Sequence, residues 1–409
     1  MRSFTKIPFW KQMLFVFGPG IVVMFADTDA ASIITAAQSG AQWGYKLLLL
    51  QVILIPILFI TQELTVRLGI TTGMGHGELI KHRFGKFWAW ISVSTLIITC
   101  IGAMLSEFTG IAGVGALFGV PIWLSMSITV LFLSVIALTG SYRSVERIAL
   151  LFGLFELVFF YVAWRAHPSA QEILDHIAHI PIHNSHYLYL AAATVGAVIM
   201  PWMIFYQQSA VVDKKLKPEH LKAARWDTAI GAVITQLIMA AILVAAAATI
   251  GKTNPGAPLE NVQHIASALT PFLGKTTGTI LFALGMTGAA FIAAIVVSLT
   301  AAWGLGEITG FKHSLEHHPK EAPWFYTTYI VTLVAGAILV ASGINLVNLS
   351  VAVVVMNALL LPIVLGFLYL LALKALPEKY RLSKPYAIAV FIILATTALF
   401  GVWAGISGI

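Results

Sequence analysis

The amino-acid sequence predicts an all-α integral membrane protein with about 11 transmembrane helices, arranged as two inverted repeats of five spans (5+5) and one added span. Three observations carry that prediction. The 409 residues are 59% hydrophobic and only 10% charged, with a mean hydropathy of +0.90, which is not the surface of a soluble domain. Apolar runs such as 47–61, 121–139, 228–250 and 386–404 approach the ~20 residues a helix needs to cross a hydrocarbon core, and are too unbroken for barrel strands. Finally, the first and sixth spans are interrupted at mid-depth by polar residues or proline, the pattern of inverted-repeat transporters that bind cargo near the midplane.

Residues 1–13 are a basic and aromatic lead-in to an acid-bearing span without a small-residue cleavage site, so they are expected to stay as a cytoplasmic N-terminus. Spans are expected near 14–38, 46–69, 87–118, 121–141 and 147–165, forming a first repeat over 14–165, and an external loop follows at 166–186. Spans near 187–212, 226–250, 275–304, 325–342 and 345–373 form the second repeat over 187–373, and 374–409 holds a linker and the eleventh span, 385–408. Of the 24 Lys and Arg, all but Lys46, Arg165, Lys252 and Lys275 fall in alternate inter-span segments. Cytoplasmic segments retain positive charge, so the N-terminus is expected inside and the C-terminus outside a cytoplasmic (inner) membrane. The net charge of +7 thus reads as topology, and no basic stripe with interleaved aromatics points to nucleic acid. The one cysteine, Cys100, cannot close an intrachain disulfide and lies in an apolar run.

The interrupted spans hold the candidate chemistry. Span one reads Phe25-Ala26-Asp27-Thr28-Asp29-Ala30-Ala31-Ser32. A carboxylate at that depth costs ~2.5–3.5 kcal/mol on insertion scales, which marks function more often than packing. Carboxylates, hydroxyls and loosened backbone carbonyls are what a desolvated divalent cation requires. Span six reads Gly196-Ala197-Val198-Ile199-Met200-Pro201-Trp202. Pro201 has no amide N–H, so the Ala197 carbonyl loses its helical partner, while the Met200 thioether is a soft donor suited to transition metals.

These segments resemble the NRAMP family of divalent metal transporters, secondary carriers of the LeuT type, and the likeness runs through nearly the whole chain. It includes Gly18-Pro19-Gly20, Asp29-Ala30-Ala31-Ser32 at the family's Asp-Pro-Gly-Asn metal motif, Gly44-Tyr45, Arg67-Leu68-Gly69-Ile70, Thr72-Gly73, Gly196-Ala197, Met200-Pro201 and Ser209-Ala210-Val211-Val212. The resemblance implies Asp29, the Ala197 carbonyl and Met200 as metal ligands, with Ser32 at the motif's asparagine. Ser32 shortens that ligand, Trp202 replaces a histidine, Met104 replaces the first acid of the span-three pair, and 325–342 lacks the family's arginine. Two of three side chains tied to proton movement are thereby missing, so proton coupling is expected to be weak or absent. Such losses are reminiscent of the divergent NRAMP-related branch that includes magnesium carriers, while the retained Met200 keeps Mn²⁺ or Fe²⁺ in contention alongside Mg²⁺.

Other residues carry two readings each. Glu107 is either a charge-balancing or proton-relay acid or a hydrogen-bonded packing residue, and Asp27 and Thr28 are candidates to support the cation from beside it. Asn357 in span ten either completes the cation's shell or glues helices, and Gln207 and Gln208 are similarly two-sided. His313, Glu316 and His317 fit the H-x-x-E-H zinc-protease pattern, a rival enzyme reading that needs a third ligand; a divalent cation channel is the other rival. The loop histidines His167, His176, His179, His183 and His186 read either as weak metal capture or as solvated side chains. No ATP-binding motif occurs. The expected partners are the metal as substrate and the lipid bilayer, with a monomer sufficient, no cofactor, no nucleic acid and no enzyme activity.

Overall fold

The computed structural model describes residue 13 and residues 16–138, 141–256, 258–342 and 346–408, with no strand among them. Residues 1–12 of the expected N-terminal segment and the first residues of the spans at 14 and 345 lie outside the described residues. The first span is a broken pair, α1 (Pro19–Asp27) and α2 (Ala30–Trp43). There follow α3 (Leu48–Thr72), the short α4 (His76–Phe84), α5 (Lys86–Leu117), α6 (Ile122–Leu138), α7 (Tyr142–Glu156), α8 (Val158–Arg165) and α9 (Ala170–Ala178). The second half holds α10 (Ser185–Val198), α11 (Pro201–Asp213), α12 (Leu221–Ala248), α13 (Ile250–Thr253), α14 (Val262–Leu269), α15 (Lys275–Thr309), α16 (Pro323–Ala341), α17 (Leu346–Lys374) and α18 (Lys384–Gly408). Among the described residues nine spans are long and apolar enough to cross a membrane, the pair α1–α2 makes a tenth, and the apolar α6 stands at the fourth expected position.

Local signals explain most boundaries. Pro19, Pro201 and Pro323 each sit in a first turn, where a missing N–H costs nothing. Gly73 (φ 67°) and Gly310 (φ 85°) end α3 and α15 in the left-handed conformation that a side chain would strain. Asn184 caps α10 by accepting the Tyr187 amide at 3.2 Å. Two departures from the expected boundaries stand out. The fifth span begins at Tyr142 rather than 147, and the 166–186 segment contains a helix, α9, capped by Ser169.

The helices assemble in two groups around the breaks. One group packs α15 along α5, with α7 and α16 on α15 and α6 on α16. The other packs α12 against α1, α2 and α3, with α11 on α3. The broken helices bridge them, since α1 and α11 both touch α15 while α2 touches α5 and α10. A third layer, α17 and α18, closes over α10, and there Gly196 is required because a Cβ would collide with the Val354 carbonyl.

Charged groups sew up the end of the bundle where the basic segments gather. The amides of Gly18 and Gly20, at the start of α1, donate to Asp227 Oδ1 and Oδ2 at 3.3 and 2.7 Å. Lys214 Nζ donates to the Val16 and Phe17 carbonyls and to Glu146 Oε1 at 2.8 Å. Glu63 is held by both Arg67 (2.8 Å) and Arg225 (2.6 Å). At the opposite end α9 is a strap: Glu172 pairs with Lys252 at 2.6 Å, and His176 Nδ1 accepts the Tyr45 amide at 3.2 Å.

Candidate metal centre

The two breaks arise by different chemistry and meet in space. In the first span the helix stops at Asp27, Thr28 (φ −79°, ψ 43°) and Asp29 (φ −67°, ψ 175°) leave helical geometry, and α2 restarts at a 48° bend. Asp29 is the N-cap of α2, its Oδ1 accepting the Ser32 amide at 2.7 Å. In the sixth span Met200 is extended (φ −96°, ψ 138°) and Pro201 opens α11. The Ala197 carbonyl, deprived of an amide at position 201, accepts instead from the Ser32 hydroxyl at 3.2 Å. Asp29, Ser32 and Ala197 thus form one connected cluster across both breaks. Met200 lies three residues beyond Ala197 in the extended segment, and all four residues are buried to 1% exposure or less.

The neighbouring candidates divide. Glu107 Oε2 accepts the Ala30 amide at 3.1 Å, so this acid also supports the start of α2, and its carboxyl lies beside that of Asp29. Thr28 shares a hydrogen bond with Thr235 (2.6 Å) and Asp27 Oδ2 accepts from Gln236 Nε2 (3.4 Å), both on α12. Asn357 donates to the Gly196 carbonyl at 3.4 Å and so steadies the end of α10. Trp202 is fully buried, its indole N–H without a partner among the described residues. Met104 Sδ takes a contact from Ser298 at 3.6 Å. Gln207 donates to Thr228 (2.8 Å), and Gln208 bonds the Met74 carbonyl and His76 Nδ1, so both anchor α11 rather than reach the break. Burial lowers the pKa of His76 to about 4, which keeps it a neutral partner for Gln208.

Sequence reasoning missed Glu156. It is fully buried at the end of α7, beside Thr28 and within electrostatic reach of Asp27 and Asp29. Its signal was present, an isolated acid in the middle of an apolar span. The protease pattern is a correction in the other direction. Residues 311–320 are irregular and turn, so His313 and His317 are not one helical turn apart, and no group of three His, Cys, Asp or Glu among the described residues is placed to hold a metal. The loop histidines are not all solvated either, since His176 is the strap contact on Tyr45.

Comparison with known proteins places this architecture. The Nramp family model, described as natural resistance-associated macrophage protein-like, matches residues 20–407. The chain belongs to the Nramp family. Relatives include the divalent metal cation transporter MntH of Xanthomonas campestris pv. campestris, 30% identical over 71% of this Nramp chain and 68% of its own. The MntH of Staphylococcus saprophyticus is 31% identical over 67% and 65%. The crystal structure of the Eremococcus coleocola manganese transporter superposes with a TM-score of 0.77 at 20% identity, covering 98% of this chain and 88% of that one. The LeuT-type fold expected from the sequence is therefore the fold of this Nramp protein, and its relatives are named as transporters rather than enzymes.

Proposed function

We propose that this protein is a secondary transporter that carries a divalent metal cation by alternating access, loading it between the two helix breaks on Asp29, Ser32, the Ala197 carbonyl and Met200. The observation that carries the reading is the hydrogen-bonded cluster in which a capping carboxylate, a hydroxyl and a proline-freed carbonyl from two spans converge in a buried interior. The carboxylate supplies charge, the hydroxyl and carbonyl supply hard oxygen, and the thioether favours Mn²⁺ or Fe²⁺ over Mg²⁺. Asp27, Thr28, Glu107, Trp202 and Asn357 surround it as support. With Trp202 and Met104 where the family carries ionisable side chains, the membrane potential drives uptake, at ~2.3 kcal/mol per charge per 100 mV, and proton movement is weak or absent. The basic end of the bundle faces the cytoplasm across the inner membrane, the repeats span 14–165 and 187–373, and a single chain suffices.

Uptake of Mn²⁺ and Mg²⁺ into proteoliposomes holding an internal pH dye tests this for the native chain and Asp29→Ala. The expected result is saturable Mn²⁺ uptake, lost in Asp29→Ala, with little acidification. Equal uptake by both proteins would overturn the site, and absence of any metal flux would overturn the function.

A further inference from the structure

Beside the centre just described lies a second set of buried oxygen atoms, of which the proposed transport reading uses Asp27 and Thr28 only as support and the others not at all. Asp27, Thr28, Glu156, Thr235 and Gln236 come from α1, its break, the end of α7, and α12, and none exceeds 1% exposure. Four of their oxygens, Asp27 Oδ1, both carboxylate oxygens of Glu156 and Gln236 Oε1, have no hydrogen-bond partner among the described residues. All four are acceptors. A buried acceptor left unpaired costs about 1–3 kcal/mol, more for a charged one, so four in one place are a large local deficit. The set is held together: Gln236 Nε2 reaches Asp27 Oδ2 at 3.4 Å, the Thr28 and Thr235 hydroxyls are 2.6 Å apart, and Glu156 lies against Thr28.

No base compensates these acids. Neither Asp27 nor Glu156 joins an ion pair among the described residues, whose ion-paired acids lie elsewhere, at Glu63, Glu146, Glu172, Glu219 and Glu321. Two uncompensated carboxylates in a low-dielectric interior call for positive charge, and the donors available are carboxylate, amide and hydroxyl oxygen with no sulfur or nitrogen. Hard divalent cations take that donor set. One divalent ion at Asp29 with Glu107 beside it, and another at Asp27 and Glu156, would leave the four buried acids electrically balanced.

We propose that Asp27, Glu156 and Gln236, with the Thr28 and Thr235 hydroxyls, form a second divalent-cation site next to the transport site. It is an oxygen-only station and accepts Mg²⁺ and Mn²⁺ alike, whereas the Met200-containing site discriminates between them. The proposal rests on the transport reading only in that Asp29 holds the first ion.

Equilibrium binding of Mn²⁺ alone to the purified full chain tests it without requiring transport. The expected result is two Mn²⁺ per chain, falling to one in Glu156→Gln and to one in Asp29→Asn, with Mg²⁺ competing more effectively for the ion that Asp29→Asn retains. Gln236→Leu, which keeps both carboxylates, should weaken the second ion about tenfold, one lost ligand being worth roughly 1.4 kcal/mol, and guards against misfolding of the Glu156 variant. A single Mn²⁺ that is lost in Asp29→Asn and kept in Glu156→Gln overturns the second site while leaving the transport reading intact. Two ions that persist in both Glu156→Gln and Gln236→Leu also overturn it. No Mn²⁺ bound by the native chain overturns both.

Discussion

The two helix breaks reach the same backbone outcome by opposite means. The first is made by an acid that turns its side chain onto the start of the next helix, bends the span by 48° and brings negative charge to the centre. The second is made by an imino acid that withholds a donor, keeps α10 and α11 within one 29-residue span and brings a neutral carbonyl and a thioether. In the proposed site the difference gives the two breaks separate jobs: charge, and hence strength of binding, from the first, and softness, and hence choice among ions, from the second.

Substitutions can break that division. Asp29→Asn should have the largest effect, lowering uptake at sub-saturating metal by about 100-fold, since losing one member of a buried charge pair costs roughly 2–5 kcal/mol. Asparagine caps helices as well as aspartate does, so thermal stability should stay within about 0.5 kcal/mol of the native chain. A large drop in melting temperature would show the acid to be structural. Pro201→Ala comes next: it restores an amide to the Ala197 carbonyl and should weaken Mn²⁺ binding about tenfold, the worth of roughly one hydrogen bond. Unchanged affinity would mean that this carbonyl does not face the ion. Met200→Ala should leave Mg²⁺ transport intact and reduce the preference for Mn²⁺ over Mg²⁺ about fivefold, or ~1 kcal/mol; competition uptake reads this, and an equal loss for both ions contradicts it. Ser32→Ala should matter least, about two- to threefold, because it removes a hydroxyl at 3.2 Å from Ala197 while leaving the amide that Asp29 caps.

Much of the fold was legible because crossing a bilayer imposes a length and an apolar composition, and the alternation of basic segments gave the span count independent support. The breaks were legible for a related reason, since Asp29 and Pro201 are conspicuous where the surroundings are uniformly apolar. What the chain did not disclose depends on rotation and on distant partners. Whether Asp27 faces α12 turns on the twist of a helix that ends at that very residue, and Gln236 and Thr235 are unremarkable until α12 is packed on α1. Glu156 was readable as an acid in mid-span but had no neighbour in sequence to give it meaning. The strap helix α9 was hidden because it is only nine residues long and surrounded by loop.

The stitching of α1 at the basic end has a consequence for the empty carrier. Tilting α1 outward would release Gly18 and Gly20 from Asp227 and free Lys214 from Glu146 and two carbonyls in a single event. Bonds to charged groups are worth ~1.5–3 kcal/mol each, so their joint rupture is rare. Any motion of α1 away from this end therefore has to break the whole set together rather than one contact at a time.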